Sequence, residues 1–418
     1  MRNPVTTPPT LPRLLAANGR TLADHHKRFG PLPTVGGAEL LAAIEAAGLT
    51  GRGGAGFPTA LKMAAITGPK PVVVGNAAEG EPLSRKDAML LKRAPHLVFD
   101  GLEAAATAVG ADKVYLYLHP DAVPSATKAL DERRVAGQDP HKVTLVEAPD
   151  KFVAGEESAA IQRIEGGPAL PRDRVVIAAV SGVRGRPTLV NNVETLAHIG
   201  LIVRYGADWF RSIGDSADPG TMLVTLSGAV DHHGVVEVPT GTLLTDLIEH
   251  HGGTDSRSVS AILVGGYHGS WLPANTFGGT RLSRSGLKEL GATPGAGIVH
   301  ALGATECGLA RTAEIVGYLA DEGARQCGPC LNGLPRLAGL VDELAFGRAN
   351  DPLVKEIRRM ARLVDGRGAC RHPDGTARFV RSALRAFAAD IEAHHHGRCT
   401  AADVLVHESG RRDPRRGR

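Results

Sequence analysis

The sequence predicts an α/β protein in three parts: a Rossmann-like domain, a small β-grasp module and a C-terminal four-helix bundle. In the first half, strand-like runs such as Lys113 to Leu118 alternate with helical stretches, which is typical of a mostly parallel sheet. Near Asp218 the pattern changes to two strands, a helix over 242–250 and a further strand. From Gly303 onward four helical stretches with short connections predict the bundle, the last of them over 376–394.

Length and composition agree with this division. A chain of 418 residues is too long for one ordinary core, and 43% hydrophobic with 22% charged residues is typical of a globular protein. The net charge of +4 is small and much of it lies in 410–418, so we expect no nucleic-acid partner. No apolar run reaches the roughly 18 residues of a membrane span. The start lacks the apolar core of a signal peptide, so we expect a cytoplasmic protein, without membrane insertion but able to sit at the periphery of a membrane complex.

We expect an extended N-terminal arm over 1–34, because this segment is rich in proline and weakly patterned. The other expected boundaries are 35–215 for the α/β domain, 218–290 for the β-grasp module, 300–396 for the helical domain and 397–418 for a basic tail.

A glycine-rich loop is the first candidate site. Gly51, Gly53 and Gly56 fit G-x-G-x-x-G, but the segment before the loop has helical period, so the ordinary dinucleotide motif lacks its preceding strand. Consecutive glycines still let a backbone approach an anion, and the following helix carries Lys62 one turn in. The alternative interpretation is a tight turn between two helices.

Three polar loops are further candidates. Asn76, Glu79 and Glu81 follow an apolar strand, at the edge where parallel sheets bind ligands, although acidic loops are often only solvated. The pair of carboxylates at 156–157 opens a helix, where acidic residues also serve as partners of the helix dipole. The adjacent asparagines at 191–192 can cap a helix or hydrogen-bond a heterocycle.

These segments, in this order, resemble the NADH-binding flavoprotein subunit of respiratory complex I, whose relatives occur in NAD-linked hydrogenases and formate dehydrogenases. The resemblance covers about residues 35–390. The matching stretches are GLTGRGGAGFPTALK, GNAAEGEP, GEES, AVSGVRGRPTLVNNVETLA, GTMLVTLSGAVDHHGVVEVPTGT and QCGPC with a later cysteine. Because the chain is somewhat short for that subunit, we expect a stand-alone paralogue.

The resemblance implies a role for each matching residue. The flavin FMN would be held at its phosphate by Gly51, Gly53, Gly54 and Lys62, and at its ring by Asn76, Asn191, Asn192 and Thr195. Glu79 and Glu156 would also face the cofactors, Phe57 would stack on the adenine of NAD(H), and Glu81 and Glu157 would act at the nicotinamide. The implied activity is NADH dehydrogenase-like: hydride transfer to the flavin, then single electrons to an iron–sulfur cluster. The final acceptor, of quinone or ferredoxin type, stays open.

The sequence departs from the family pattern around the nucleotide. Ala78 replaces an acidic residue, Met63 replaces an aromatic one, and an aliphatic residue near Val176 or Ile177 replaces another. Each lost aromatic stack costs on the order of 1 kcal/mol, so we expect weak NADH binding.

Cysteines predict the second cofactor. Cys327 and Cys330 form a C-x-x-C pair and Cys370 follows, which the resemblance identifies as three ligands of a [4Fe–4S] cluster. Ala324 stands where the family has its first cysteine, so we expect an open, oxygen-labile corner. His372 and Cys307 are candidates for the fourth ligand. A redox-active disulfide between the paired cysteines is the alternative.

Two other hypotheses stay open. The chain could be a non-enzymatic electron-transfer or scaffold subunit that has lost nucleotide oxidation. The run His394-His395-His396-Gly397-Arg398-Cys399 could bind a metal, although such runs are more often solvated helix ends. As partners we expect a nicotinamide nucleotide and a ferredoxin-like or thioredoxin-like iron–sulfur protein.

Overall fold

A computed structural model describes residues 11–173, 176–347 and 349–402. The first part contains eight helices and four strands of one sheet among these residues. The helices are α1 (Leu22–Phe29), α2 (Gly37–Ala47), α3 (Thr59–Ala64), α4 (Lys86–Arg93), α5 (Pro95–Val109), α6 (Val123–Val135), α7 (Glu157–Ile164) and α8 (Val193–Arg211). The strands are β1 (Val72–Ala77), β2 (Lys113–Leu118), β3 (Val143–Glu147) and β4 (Thr188–Asn192).

The N-terminal segment corrects one expectation. Residues 22–29, predicted as part of an extended arm, form α1 instead. Thr21 and Asp24 build a reciprocal capping box at the start of this helix, and Leu22 and Phe29 are buried. The burial of these two side chains and the capped first turn stabilise the helix, although the surrounding sequence is rich in proline. The first ten residues of the predicted arm, and most of the predicted basic tail, lie outside the described residues.

The sheet is parallel and has the order β3-β2-β1-β4. The chain leaves β1 toward β2 on one side, and β4 later pairs with β1 on the other side. The point between β1 and β4 is therefore the topological switch point, where open α/β sheets bind ligands at the carboxyl ends of their strands. Asn76 on β1 lies beside Asn192 on β4 in this register.

The second part is a β-grasp-like module. It begins with the two-residue strands β5 (Gly214–Asp215) and β6 (Asp218–Pro219), which pair with each other. The main sheet has the order β10-β9-β11-β7-β8. Its strands are β7 (Thr221–Gly228), β8 (Gly234–Pro239), β9 (Val259–Val264), β10 (Ser270–Pro273) and β11 (Ile298–Gly303). The helices are α9 (Leu244–Asp246), α10 (Ala274–Phe277) and α11 (Arg284–Lys288), and a π-helical turn over 247–251 follows α9. The helix predicted over 242–250 thus begins at Leu244, and its second half is π-helical.

The third part is the helical bundle. Its helices are α12 (Gly308–Asp321), α13 (Leu334–Phe346), α14 (Asp351–Val364), α15 (His372–Ala386) and α16 (Ala388–His395). The last predicted helix, over 376–394, begins earlier than expected and is interrupted at Phe387, whose φ of −108° and ψ of 30° break the helical path. Phe387 is buried beneath the N-terminus of α12, where a Cβ on Gly308 would lie 2.2 Å from its ring. Among the described residues, every helix is too short or too polar to cross a bilayer.

Candidate functional site

Three of the predicted segments meet at the switch point between β1 and β4. The Asn76 side-chain amide donates a hydrogen bond of 2.9 Å to the Gly155 carbonyl, at the loop that precedes α7. The Asn192 amide donates to the Asn76 carbonyl at 3.2 Å. The asparagines therefore fasten the ends of both strands to the acidic loop, as expected for neighbouring polar groups at one edge of a sheet.

The glycine loop passes directly over the end of β4. A Cβ atom on Gly53 would lie 3.1 Å from the Cβ of Asn192, so a larger residue there would press on that side chain. The loop is closed by a hydrogen bond of 2.9 Å from the Gly51 N–H to the Phe57 carbonyl. Gly54 and Gly56 have φ values of +109° and +61°, conformations that residues with a Cβ rarely adopt. The glycines are thus required both by the turn and by close approach.

Asn191 carries a polar group that lacks a partner. Its side chain is 5% exposed, and its Nδ2 finds no acceptor among the residues that the structure describes. Leaving a buried donor unpaired costs about 1–3 kcal/mol, so native structures seldom keep one without a ligand or water. A flavin ring, whose edge presents carbonyl oxygens and ring nitrogens, fits this donor.

Two predicted binding carboxylates serve as helix caps. Glu156 accepts hydrogen bonds from the N–H groups of Ser158 at 2.8 Å and Ala159 at 3.2 Å, at the first turn of α7. Glu79 accepts from the N–H groups of Asp87 at 3.1 Å and Ala88 at 3.2 Å, at the first turn of α4. Both carboxylates thus hold the walls of the site in place.

The other two carboxylates face different surroundings. Glu157 forms an ion pair of 2.8 Å with Lys62, and each side chain is about one-third exposed at 37% and 32%. Glu81 instead turns its carboxyl inward and accepts the Tyr267 N–H of the β-grasp module at 2.9 Å. Burial raises the pKa of Glu81 to about 8, although the N–H groups of Tyr267 and Leu83 oppose the shift. Phe57 is 54% exposed beside the glycine loop, with room for a stacking partner.

A buried charge cluster supports the site from behind, and sequence reasoning missed it. Lys86 lies 2.6 Å from Asp87 and 2.9 Å from Glu194, and donates to the Asn192 side-chain oxygen at 3.0 Å. Burial alone would lower the pKa of Lys86, but these carboxylates and Glu79 raise it. The feature of the sequence that could have indicated this cluster is the Lys-Asp pair that follows the polar loop.

Arg52 is a second residue that sequence reasoning missed. It lies inside the glycine loop but is only 7% exposed, and its guanidinium donates to the Asp218 carboxylate and to the Pro219 carbonyl, both at 2.9 Å. These bonds tie the loop to the start of the β-grasp module. The feature of the sequence that could have indicated this role is an arginine placed among the glycines of the loop.

The cysteines predicted as cluster ligands converge beyond the end of α12. Burial and the neighbouring thiols of Cys327 and Cys370 raise the pKa of Cys330 to about 12. Such mutual destabilisation of thiolates is relieved when a cationic metal centre binds them. Cys327 borders an open cleft. Three adjacent sulfurs fit three corners of a cluster, and Ala324 supplies no fourth.

Neither of the two candidates for the fourth ligand is placed to bind the open iron. The Nε2 of His372 lies 2.7 Å from the Leu319 carbonyl and its Nδ1 lies 3.2 Å from the Nε2 of His268, so both ring nitrogens are engaged. Cys307 precedes α12, whereas Gly323, next to Cys330, follows it. A helix of 14 residues is about 21 Å long. Cys307 is therefore wrong as a fourth ligand, since it lies at the opposite end of this helix.

A flavin-type α/β domain with its binding loops at the switch point, followed by a β-grasp module and a cysteine-bearing helical bundle, defines an iron–sulfur flavoprotein of the NADH dehydrogenase class. Residues 44–201 match the family model of the Nuo51 FMN-binding domain, and residues 309–394 match that of the NADH-ubiquinone oxidoreductase-F iron-sulfur binding region. Residues 223–261 match the SLBB domain.

Relatives cover nearly the whole chain. An NADH-quinone oxidoreductase subunit of Rhizobium meliloti (strain 1021) is 30% identical over 373 residues, which are 85% of this chain and 88% of that protein. NADP-reducing hydrogenase subunit HndC of Solidesulfovibrio fructosivorans is 30% identical over 374 residues, 85% of this chain and 76% of that protein. A crystal structure of NAD+-reducing [NiFe]-hydrogenase in the H2-reduced state superposes with a TM-score of 0.79 at 30% identity, over 90% of this chain and 68% of that chain.

The chain belongs to the Nuo51 family, the flavoprotein subunits of NADH-quinone oxidoreductase and their relatives. The predicted resemblance is confirmed, and so is the predicted fold class, with an FMN-binding domain, an SLBB domain and a C-terminal 4Fe–4S region. The family is one of oxidoreductases, as predicted.

Proposed function

We propose that this chain oxidises NADH through bound FMN and passes the electrons to an iron–sulfur cluster in its own helical bundle. The observation that carries the proposal is the buried, unpartnered amide of Asn191 on β4, at the β1/β4 switch point. A buried donor without a partner in the chain is stabilised when a bound ligand supplies the acceptor. The family match to an FMN-binding domain identifies which acceptor fits.

In this proposal the chain holds FMN from three sides. Gly51, Gly53 and Gly54 bring backbone amides to the phosphate, with Lys62 supplying positive charge. Asn191 would hydrogen-bond the ring with its unpaired amide. Asn76 and Asn192, whose amides are bonded within the chain, would hold the strand ends beside it. Thr195 accepts the Arg52 N–H at 2.9 Å, so we assign Thr195 to fixing the loop. Glu79 and Glu156 fix α4 and α7 beside the cofactor.

The nicotinamide nucleotide would occupy the exposed side of the same site. We place Glu157 at the nicotinamide, because its carboxylate and Lys62 lie at the accessible rim. Phe57 offers an exposed ring to the adenine. Glu81 supports the site by joining its loop to Tyr267, a role that its buried carboxyl favours over direct contact. FMN, when bound, supplies the step from two-electron to one-electron chemistry, and the protein supplies orientation.

The cluster would be held by Cys327, Cys330 and Cys370, with one iron left for a non-cysteine ligand. An open cleft beside Cys327 is lined by Arg172, Arg367 and polar neighbours. We propose that a small ferredoxin-like or thioredoxin-like iron–sulfur protein with an acidic surface docks at this cleft and takes the electrons. Because relatives are named as subunits of a quinone oxidoreductase and of a hydrogenase, we propose a multi-subunit setting, peripheral to a membrane complex or in solution, in place of the stand-alone paralogue expected from chain length.

Flavin binding tests the core of the proposal. Purified protein is mixed with excess FMN, gel-filtered and analysed for bound flavin by absorbance after denaturation. We expect one FMN per chain in the wild type and a reduced affinity in Asn191→Ala, which removes the orphan donor. Asn275→Ala, at an exposed position of α10, should bind FMN as the wild type does. Wild-type protein that retains no flavin would contradict the proposal.

A second candidate function is a non-enzymatic electron-transfer or scaffold subunit. Ala78 and Ala324 favour it, because each replaces a residue with which the family contacts a cofactor. Under this alternative the protein would bind FMN or a cluster but show no NADH-dependent reduction of ferricyanide. Activity that requires added FMN would exclude it.

A further inference from the structure

A second cluster of metal-ligating side chains lies at the far end of the helical bundle. The Sγ of Cys307 lies 3.6 Å from the Nε2 of His394, and the thiol of Cys399 is within hydrogen-bonding range of Cys307. All three ligand atoms lie within 4.8 Å of one another. Residues from two separate parts of the chain thus bring two sulfurs and one nitrogen to a single point.

The fold explains how these residues meet. The interruption at Phe387 turns α16 back over the N-terminus of α12, whose first residue follows Cys307. After α16 the Arg398 N–H donates to the Ala393 carbonyl at 2.9 Å, which reverses the chain and returns Cys399 toward His394. The Thr400 hydroxyl donates to Asp390 and holds this return in place.

We propose that Cys307, His394 and Cys399 bind one zinc ion, with a fourth position open to water. A tetrahedral zinc ion with Zn–S of about 2.3 Å and Zn–N of about 2.0 Å holds such ligands roughly 3.5 Å apart. The observed separation of 3.6 Å between Cys307 and His394 matches that spacing. Binding would release both thiol protons to solvent and leave a site of zero net charge, which suits three half-buried side chains.

Burial and the nearby Cys399 sulfur oppose a thiolate at Cys307, and two backbone groups offset them in part. The N–H groups of Leu309 and Ala310, in the first turn of α12, hydrogen-bond its sulfur. Backbone donors and a helix N-terminus both stabilise negative charge on sulfur. The role that follows is structural: one ion would fasten the end of the described chain to the start of the bundle.

This site stands apart from the electron path. About 21 Å of α12 separates it from the cysteines at 327, 330 and 370. It also differs from the exposed group of Glu392, His395 and His396 on the outer side of α16. Those two histidines provide matched controls within the same run of sequence.

Zinc content of the full-length protein, purified under reducing conditions, tests the proposal. Because the cluster cysteines can take zinc when no cluster fills them, the quantity compared is the difference between each variant and the wild type. We expect His394→Ala and Cys399→Ser to lose one zinc per chain and His395→Ala to lose none. Removing zinc with a chelator should lower the melting temperature of the wild type but not that of Cys399→Ser.

Cobalt substitution gives a second readout. Because the cluster cysteines can also take Co²⁺, the quantity compared is again a difference: the intense visible bands of tetrahedral thiolate coordination in metal-free wild type should weaken in Cys399→Ser and stay unchanged in His395→Ala. Equal zinc in His394→Ala and the wild type would overturn the proposal. So would a Cys307–Cys399 disulfide found by mass spectrometry in the reduced preparation, or zinc lost from His395→Ala alone.

Discussion

The backbone N–H of Arg52 donates a hydrogen bond of 2.9 Å to the hydroxyl of Thr195, a residue with no exposed surface. This bond joins the glycine loop to the first turn of α8, across the end of β4. The orientation of the loop over the proposed flavin site therefore depends on a side chain that is distant in sequence. Thr195 acts on the cofactor through the loop.

Replacing Thr195 by Val tests this relationship. The substitution keeps the shape and leaves the Arg52 N–H without its acceptor, at a cost of about 1–3 kcal/mol. We expect FMN affinity to fall between about fivefold and a hundredfold, measured by fluorescence titration, with recovery in Thr195→Ser. Unchanged FMN affinity in Thr195→Val would show that the hydrogen bond between Arg52 and Thr195 does not contribute to flavin binding.

Glu81 gives a pH dependence of stability. Its pKa in the folded protein is about 8, against an ordinary value of 4.5. Between these values the folded state keeps a proton that the unfolded state releases, so stability falls as pH rises from about 4.5 to about 8. A tenfold change in proton affinity is worth about 1.4 kcal/mol, so the full effect is on the order of 5 kcal/mol.

We expect Glu81→Gln to lose this slope, because its amide stays neutral at every pH. Melting temperatures from pH 5 to pH 9 measure it, with the exposed Glu289→Gln as the control that should follow the wild type. A Glu81→Gln curve that falls as steeply as the wild-type curve would show that another group titrates.

Phe57 should contribute to nucleotide binding alone. Loss of one stacking contact is worth about 1 kcal/mol, so Phe57→Ala should raise the KM for NADH about fivefold with little change in kcat. Leu61→Ala, at an exposed apolar position on α3, should leave both constants unchanged. Since other aromatics are missing, the wild-type KM should already lie near the upper end of the ordinary range, toward about 1 mM. An effect confined to kcat would argue against adenine stacking.

Ala324→Cys should supply the missing cluster ligand. A fourth thiolate closes the open iron, so the cluster should survive exposure to air several times longer than in the wild type. Iron content and EPR after timed exposure measure this, with [3Fe–4S] signals appearing in the wild type first. Ala389→Cys adds a cysteine on exposed surface and should give no protection. Equal lability of Ala324→Cys and the wild type would mean that another residue already closes the corner.

The sequence predicted most strands of the two larger sheets, most helices and the three-part architecture, because hydrophobic period and turn residues act locally. It also brought the right loops to one edge of the sheet. It did not predict β4, β10 or β11. It weighed a helix-terminus role for Glu156, whose partners Ser158 and Ala159 are local. It did not foresee that Glu79 caps α4 or that Glu81 turns toward Tyr267, since those contacts depend on how the chain packs. Lys86 and Arg52 were not singled out, because only the folded chain shows their buried partners. Cys307 stood among the candidates for the fourth ligand because the sequence does not show at which end of the bundle a residue lies.

The central claim is that electrons enter from NADH and leave through the cluster. Protein loaded with FMN, iron and sulfide is titrated with NADH under strictly anaerobic conditions, and visible absorption and low-temperature EPR are recorded at each step. We expect NADH to bleach the flavin band and to produce the EPR signal of a reduced cluster. A flavin band and an EPR spectrum that dithionite changes but NADH leaves unchanged would contradict the claim.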